Sequence, residues 1–451
     1  MRGATLALAG LLAVSPILAA QPAVVEVPSD VVTEGLTADQ QIQLQIETGA
    51  SLLLDLPLSP RHVHVAVPAA DMAELNGIDR AVSPQKIGVV KPITPPIAYA
   101  PGKDGETWAV VVSAENAGGV RVHVENLNLP EGLEMYVYSR SGETYGPYTG
   151  LGPDGSGDLW TTSLFGSEAI VQIRGSGRNV AAAMRRASFR ITEVGVLNPT
   201  FTEQVPAAPN AFCGNAACIV DATCQAGANS IKDGIAKMEW IAGPFLYTCT
   251  GGLMNDTNPS STNYFLTANH CLSKASTARN VSFYWRFRTS SCNGACPSNN
   301  GWPYKTTGAG VAASNRSGDF TLLTLNTNPP AGSTRLGFTN VAVANTNGVA
   351  LHRVSNPDFG PQVYSEHTVS TSAPTCQGWP RGERIYSKDT LGATDGGSSG
   401  SPVVNASDQV VGQLSGGCGT NVNDVCDAVH NATVDGALAF YWNSVRSFLA
   451  P

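Results

Sequence analysis

Gly396-Gly397-Ser398-Ser399-Gly400-Ser401-Pro402 is a glycine-flanked turn with serine at its centre. Two earlier stretches read with it. Phe265-Leu266-Thr267-Ala268-Asn269-His270-Cys271 is an apolar strand end that delivers a histidine and then a cysteine. Ser317-Gly318-Asp319-Phe320-Thr321-Leu322-Leu323 carries an aspartate into an apolar strand. The chain order is therefore His, Asp, Ser, with separations of 49 and 80 residues. Taken singly, each stretch has an ordinary explanation: a structural histidine, a turn-capping aspartate, a flexible Gly-Ser loop. Together they supply the parts of a hydrolytic site. A serine nucleophile needs a base within hydrogen-bond reach, a carboxylate to orient that base, and backbone N–H groups to hold an oxyanion. On this reading His270 takes the proton of Ser399, and Asp319 fixes the imidazole tautomer. The N–H groups of Gly397 and Ser399 form the oxyanion hole, in a turn that glycine lets adopt an unusual backbone conformation.

Moving outward, all ten cysteines lie between residues 213 and 426, so none falls in the first 205 residues. The charge divides at the same place. Residues 206–451 hold 14 Lys+Arg and 14 Asp+Glu, leaving the net charge of −8 on residues 1–205. Two independent counts put a boundary near 205. Residues 1–20 have the basic start, apolar run and small-residue end (Ala19-Ala20) of a signal peptide, and the run is short for a transmembrane anchor. Cysteines behind an export signal read as disulfides. The expected location is secreted, extracellular or periplasmic. The acidic balance gives no support for nucleic-acid binding, and no other stretch is apolar enough to span a membrane.

Residues 21–205 are expected to form a pro-region, mixed or extended to about residue 100 and β-rich from about 105 to 196. A helix is expected within Val31 to Leu53, and an extended Pro-rich run from Val89 to Pro101. Alternating runs at Trp108 to Val112, Val120 to Val124, Leu133 to Tyr138, Ala169 to Ile173 and Phe189 to Val194, with Gly- and Asn-rich turns between, predict a small β-sandwich. No paired carboxylates, histidine cluster or phosphate loop stands there. A folding or inhibitory role is favoured over a carbohydrate-binding sandwich, which fold analogy alone suggests. The Pro/Ala-rich linker Asn198 to Phe212 is the expected cleavage zone.

The second half resembles the chymotrypsin-type serine peptidases and, more narrowly, is similar to the bacterial lysyl endopeptidases. Besides the three stretches above, the matching residues are Cys218-Ile219-Val220-Asp221-Ala222-Thr223-Cys224, Cys249-Thr250-Gly251-Gly252-Leu253, Phe283-Tyr284-Trp285 and Gly412-Gln413-Leu414-Ser415-Gly416-Gly417. The resemblance implies an all-β fold: two antiparallel β-barrels over 206–451 with the triad between them, behind a signal peptide and a pro-region. It implies a secreted endopeptidase acting on peptide or protein substrates, without cofactor or metal, with its own pro-region as folding aid or inhibitor. A monomer is expected. Disulfides Cys249–Cys271, Cys224–Cys292 and Cys218–Cys426 are implied. Cys376–Cys418 and Cys213–Cys296 are one possible pairing of the remaining four, and a zinc site at Cys292-x-x-x-Cys296 is a rival. Ser415, Gly416 and Gly417 are the expected substrate-binding strand, with the Ser415 hydroxyl directed at Asp319. A short helix from Trp442 onward closes the fold.

The primary pocket departs from the resemblance. Lysine-specific members carry an aspartate where this chain has Thr433, three residues before Gly436, and Asp435 is out of register by two. The trypsin-like position, six residues before the nucleophile, is Ala393. With no counter-ion in either place, a Lys or Arg side chain would be buried unpaired at a cost of several kcal/mol. A neutral or small P1 residue is therefore expected. The absence of Lys or Arg between Arg190 and Lys232 agrees, because self-cleavage near 205 could not then follow a basic residue. Trp379 is a candidate pocket wall. Residue 398 is Ser, so no ion pair to a new amino terminus forms, and maturation is expected to work by removal of the pro-region. Two other readings compete. One is a lipase-type site on Ser398 with Asp408 or Asp424 and His430, for which few residues remain. The other is a binding protein on an inactive peptidase scaffold.

Overall fold

The computed structural model describes residues 23–73, 75, 84–101, 107–201, 212–258, 262–297, 303–376 and 378–451. The signal-peptide reading of 1–20 and most of the expected cleavage linker lie outside the described residues.

In the second half, six strands close a barrel. Val410–Gly419 pairs with Pro402–Asn405, followed in order by Ala350–Ser355, Val363–Val369, Arg384–Leu391 and Asn431–Ala437, which pairs back with Val410–Gly419. The inward residues Leu351, Val369, Ile385, Val403 and Val411 pack as one buried cluster. A second arc runs Ala309–Asn315, Phe320–Leu325, Tyr264–Ala268, Phe245–Met254, Ile235–Ala242, Ser282–Trp285, Lys305–Thr307. Its two end strands are consecutive in sequence and turn at Gly308, whose φ of 81° is a glycine conformation, so the arc returns upon itself. Phe265, Phe283, Trp285 and Leu323 fill it. The helix Leu438–Leu449 buries Tyr441, Trp442, Val445 and Leu449 in the cluster that contains Phe320 and Phe338, joining the two barrels.

The first half forms two sheets. One orders Arg61–Val65, Thr107–Ala114, Glu168–Gly175, Leu133–Tyr138 and Thr144–Tyr148. The other holds Gly119–Asn128, Ser188–Leu197 and Gln85–Ala98. Their valines and isoleucines, among them Val110, Val112, Val122, Val137, Ile173 and Val194, share one buried core. The Pro-rich run is the long strand Gln85–Ala98. Val89, Gly88, Lys86 and Gln85 pair with Phe245 to Thr248, so the second sheet continues into the first barrel. Pro92, Pro95 and Pro96 lie past the pairing with Phe245–Met254, where among the described residues the flanking strand is Ser188–Leu197 and a missing N–H is tolerated.

The helix expected within Val31 to Leu53 is present: Thr37 caps it and Gln40 completes the capping box, so it runs Ala38–Leu54. Before it, Val31 pairs with Thr334, and Glu26–Val27 pairs with Phe338–Thr339. Ion pairs also cross between the halves. Arg121 meets Glu239 at 3.2 Å and Lys305 meets Glu143 at 2.6 Å, all with side chains no more than 1% exposed.

Candidate active site

His270 sits two residues past the end of the strand Tyr264–Ala268, and Asp319 sits just before the paired strand Phe320–Leu325. Antiparallel pairing of Ala268 with Phe320 brings the two together. His270 Nδ1 lies 2.9 Å from Asp319 Oδ2 and 3.1 Å from Oδ1. The backbone N–H of His270 donates to Oδ1 at 3.0 Å. A carboxylate so placed favours the tautomer with the proton on Nδ1 and leaves Nε2 as a base.

Asp319 is held in turn. Its φ of 50° is uncommon for a non-glycine residue and is retained because its carbonyl accepts from Asn269 N–H at 3.0 Å and from Gln413 Nε2 at 2.9 Å. Tyr441 donates to Gln413 Oε1 at 2.5 Å, fixing the amide. The closing helix thus supports the Asp319 backbone carbonyl through two side chains, Tyr441 and Gln413.

Ser399 is partly exposed in the turn before Pro402–Asn405. Cys271 Sγ lies 3.7 Å from His270 Nε2 and 3.6 Å from the Ser399 carbonyl oxygen, so imidazole and serine flank one sulfur. No hydrogen bond joins Ser399 Oγ to His270 among the described residues; in unliganded sites such bonds are often long and tighten with substrate. Gly397, at φ 90°, gives its carbonyl to Thr250 Oγ1 at 2.9 Å. Among the described residues neither Gly397 N–H nor Ser399 N–H donates to a protein acceptor. Both remain available to an oxyanion.

Ser398 is fully buried. Its Oγ accepts from Ser355 Oγ at 3.0 Å and from Asp395 N–H at 3.3 Å. That disposes of the lipase-type reading: a strand, not a helix, follows the turn, Asp408 is spent on His352 at 2.9 Å, and His430 pairs with Asp427 at 2.8 Å.

Gly416 and Gly417 line a cleft with Ser399, Leu414 and Thr433. Strand Pro402–Asn405 pairs only as far as Gln413, so the edge beyond Leu414 is open on that side. Ser415 sits at a bulge in this strand, fully buried. Its hydroxyl finds no partner among the described residues, so the expected contact with Asp319 is not made. Trp379 does not wall the cleft; it packs beside Tyr386, Cys418 and Val434. Asp435 points elsewhere, to Arg353 at 2.7 Å.

One residue in the cleft was missed. Asp389, on Arg384–Leu391, lines it. The only signal in the sequence was a charge in the middle of Ile385-Tyr386-Ser387-Lys388-Asp389-Thr390-Leu391. Its Oδ1 accepts from Thr433 Oγ1 and from His367 Nδ1, both at 2.7 Å. Burial pushes its carboxyl up, but the His367 and Thr433 hydrogen bonds and the Arg353 charge outweigh that, and it stays below the usual carboxylate range.

Five disulfides pair Cys213–Cys296, Cys218–Cys426, Cys224–Cys292, Cys249–Cys271 and Cys376–Cys418. Cys292 and Cys296 thus enter separate bridges, which removes the zinc reading. Cys249, His270 and Cys271 cluster closely, but the bridge between the two cysteines withdraws the thiolates a metal would need.

Residues 214–431 match the lysyl endopeptidase C-terminal domain family. A lysyl endopeptidase of Pseudomonas aeruginosa is 30% identical over 214 residues, covering 46% of this chain and 46% of that protein. The match thus spans about half the length of that curated relative. Among solved structures, the HtrA-type protease AlgW with a tripeptide (16% identity, TM-score 0.34, 49% of this chain and 62% of that one) is similar. So is the Rv3671c protease from M. tuberculosis in its active form (16% identity, TM-score 0.34, 55% of this chain and 91% of that one).

Proposed function

We propose that this chain is the precursor of a secreted serine endopeptidase, with Ser399 as nucleophile, His270 as base and Asp319 as its orienting carboxylate. The observation that carries the reading is the His270–Asp319 contact at 2.9 Å beside a serine whose own N–H, like that of Gly397, donates to no acceptor among the described residues. The similarity of residues 214–431 to lysyl endopeptidases supports it.

In this mechanism an extended substrate lies along Ser415 to Gly417. Ser399 Oγ attacks the scissile carbonyl carbon as its proton passes to His270 Nε2. The carbonyl oxygen becomes an oxyanion that accepts hydrogen bonds from Gly397 and Ser399 N–H. The imidazolium, stabilised by Asp319, protonates the leaving amine and an acyl-enzyme remains. Water, deprotonated by His270, then attacks the ester and releases Ser399. Residues 21–205 act as the pro-region, holding the catalytic half through shared strands until they are removed.

A fluorophosphonate probe tests this. The matured protein is expected to take the label at Ser399, and Ser399→Ala to lose labelling and peptidase activity together, by about 10⁴-fold or more in kcat. A folded wild-type protein that neither labels nor cleaves peptides is instead a binding protein on an inactive scaffold.

A further inference from the structure

Resting on the serine-peptidase reading, we propose that Lys237 is a positioning residue for the reaction: it holds the short helical turn Pro357–Phe359 in the shape that aims the Gly397 N–H at the oxyanion. Lys237 lies in the strand Ile235–Ala242, fully buried, and acts through two backbone links.

The outer link is the peptide between Gly396 and Gly397. Its carbonyl belongs to Gly396 and its N–H to Gly397, and in a planar trans peptide the two point in opposite directions. The Gly396 carbonyl accepts from Asp358 N–H at 2.7 Å. That bond turns the carbonyl toward Asp358 and the Gly397 N–H away from it, where it donates to no protein acceptor among the described residues. A flip of this one peptide would put a carbonyl where the oxyanion needs a donor. The direction of the donor therefore depends on where Asp358 holds its own N–H.

The inner link fixes Asp358. Its φ is 49° and that of Phe359 is 58°, two successive left-handed residues without a glycine, one of them bulky. Such residues persist only where the surroundings over-determine them. Gly360 N–H closes the turn on the Pro357 carbonyl at 2.7 Å, and Asn356 Nδ2 donates to the Gly360 carbonyl at 3.0 Å. The Phe359 carbonyl accepts from Lys237 Nζ at 2.8 Å. The same nitrogen stands 3.4 Å from the centre of the Phe359 ring, 3.6 Å from that of Phe287 and 4.5 Å from that of Tyr284. Lys237 thus grips the carbonyl and the ring of one left-handed residue at once. Burial pushes its pKa down, and charged or neutral it keeps an N–H for Phe359. An apolar side chain would fill this aromatic cage without burying an amine, so what lysine adds is the donor. Gln85 of the first half also donates to Asp358 Oδ1 at 2.7 Å, but Lys237 belongs to the catalytic half and stays when residues 21–205 are removed.

The test expresses the full chain, matures it and compares wild type with Lys237→Met and Lys237→Leu, whose apolar side chains lack the donor. Both are expected to fold with a urea midpoint close to that of wild type, since the lost hydrogen bond is offset by taking an amine out of an apolar site. Nonetheless kcat is expected to fall about 100-fold, with KM within roughly threefold. A peptidyl aldehyde adds to Ser399 as a hemiacetal and sets its oxygen in the oxyanion hole, whereas the matching peptidyl alcohol forms no adduct. Aldehyde binding is expected to weaken about as much as kcat falls, and alcohol binding to stay. Unchanged kcat, equal weakening of aldehyde and alcohol, or failure of both variants to fold overturns the proposal. Fluorophosphonate labelling of the wild type keeps two failures apart. A labelled wild type with unaffected variants refutes Lys237 alone, whereas an unlabelled wild type refutes the catalytic reading beneath it.

Discussion

Asp319 combines a left-handed backbone conformation with a carboxylate that receives both the ring and the backbone of His270. Neither feature is local, since Asn269 and Gln413 hold it from opposite sides in sequence. Asp319→Asn keeps the shape and one acceptor oxygen, but its amide favours the wrong imidazole tautomer. A kcat loss of about 10⁴-fold is expected, with near-UV circular dichroism unchanged. The three proposed catalytic residues were legible because their neighbours are distinctive: Asn269-His270-Cys271, Gly318-Asp319 and Gly397-Ser398-Ser399-Gly400. Asp389 was not, because its partners lie 22 residues before it and 44 after it, and no local pattern joins them. The two positions weighed for a pocket carboxylate are Ala393 and Thr433, and the carboxylates that line the cleft, Asp389 among them, come from other positions.

At the scale of the element, the nucleophile turn is clamped by close approach of backbone. A Cβ at Gly400 would stand 2.5 Å from Thr250 O and 2.7 Å from Ala268 N, with φ at 83°. Those atoms belong to the strands that carry Thr250 and lead to His270, so the turn cannot shift without moving the base. Gly400→Ala is expected to cost about 2 kcal/mol or more in urea unfolding and to abolish fluorophosphonate labelling even where the protein stays folded. The glycines announced a turn, but not what it presses against. The helix Ala38–Leu54 lay within the stretch expected to hold one, but its start is set by the Thr37–Gln40 capping box, and Asp30–Val31 before it pair with Thr334–Arg335.

Across the whole molecule, the two halves share sheet and charge. Gln85–Ala98 extends the strand Phe245–Met254, and the Gln85 amide reaches Asp358 at 2.7 Å, next to the nucleophile turn. Glu143 neutralises Lys305 from the other half at a site closed to water. Glu143→Ala leaves that ammonium without its partner and is expected to destabilise the full chain by about 3 kcal/mol in urea unfolding. The double variant Glu143→Leu with Lys305→Met is expected to recover most of the loss. The change in cysteine content and charge near 205 was visible, because both are compositional. The strand pairing between the two halves was not, because an edge strand such as Gln85–Ala98 carries no mark of which distant edge it will meet.

The sequence by itself determined the stretches that carry the proposed catalytic residues, the cysteine-rich half and the strand content, since each is written in contiguous residues whose conformational preferences are local. Only the tertiary structure decided which carboxylates line the cleft beside Ser399 and how the first half grips the second. Both depend on hydrogen-bond partners and sheet edges brought together from far apart in the chain, and a hydrogen bond reports the distance between atoms in space, not their order along the polymer.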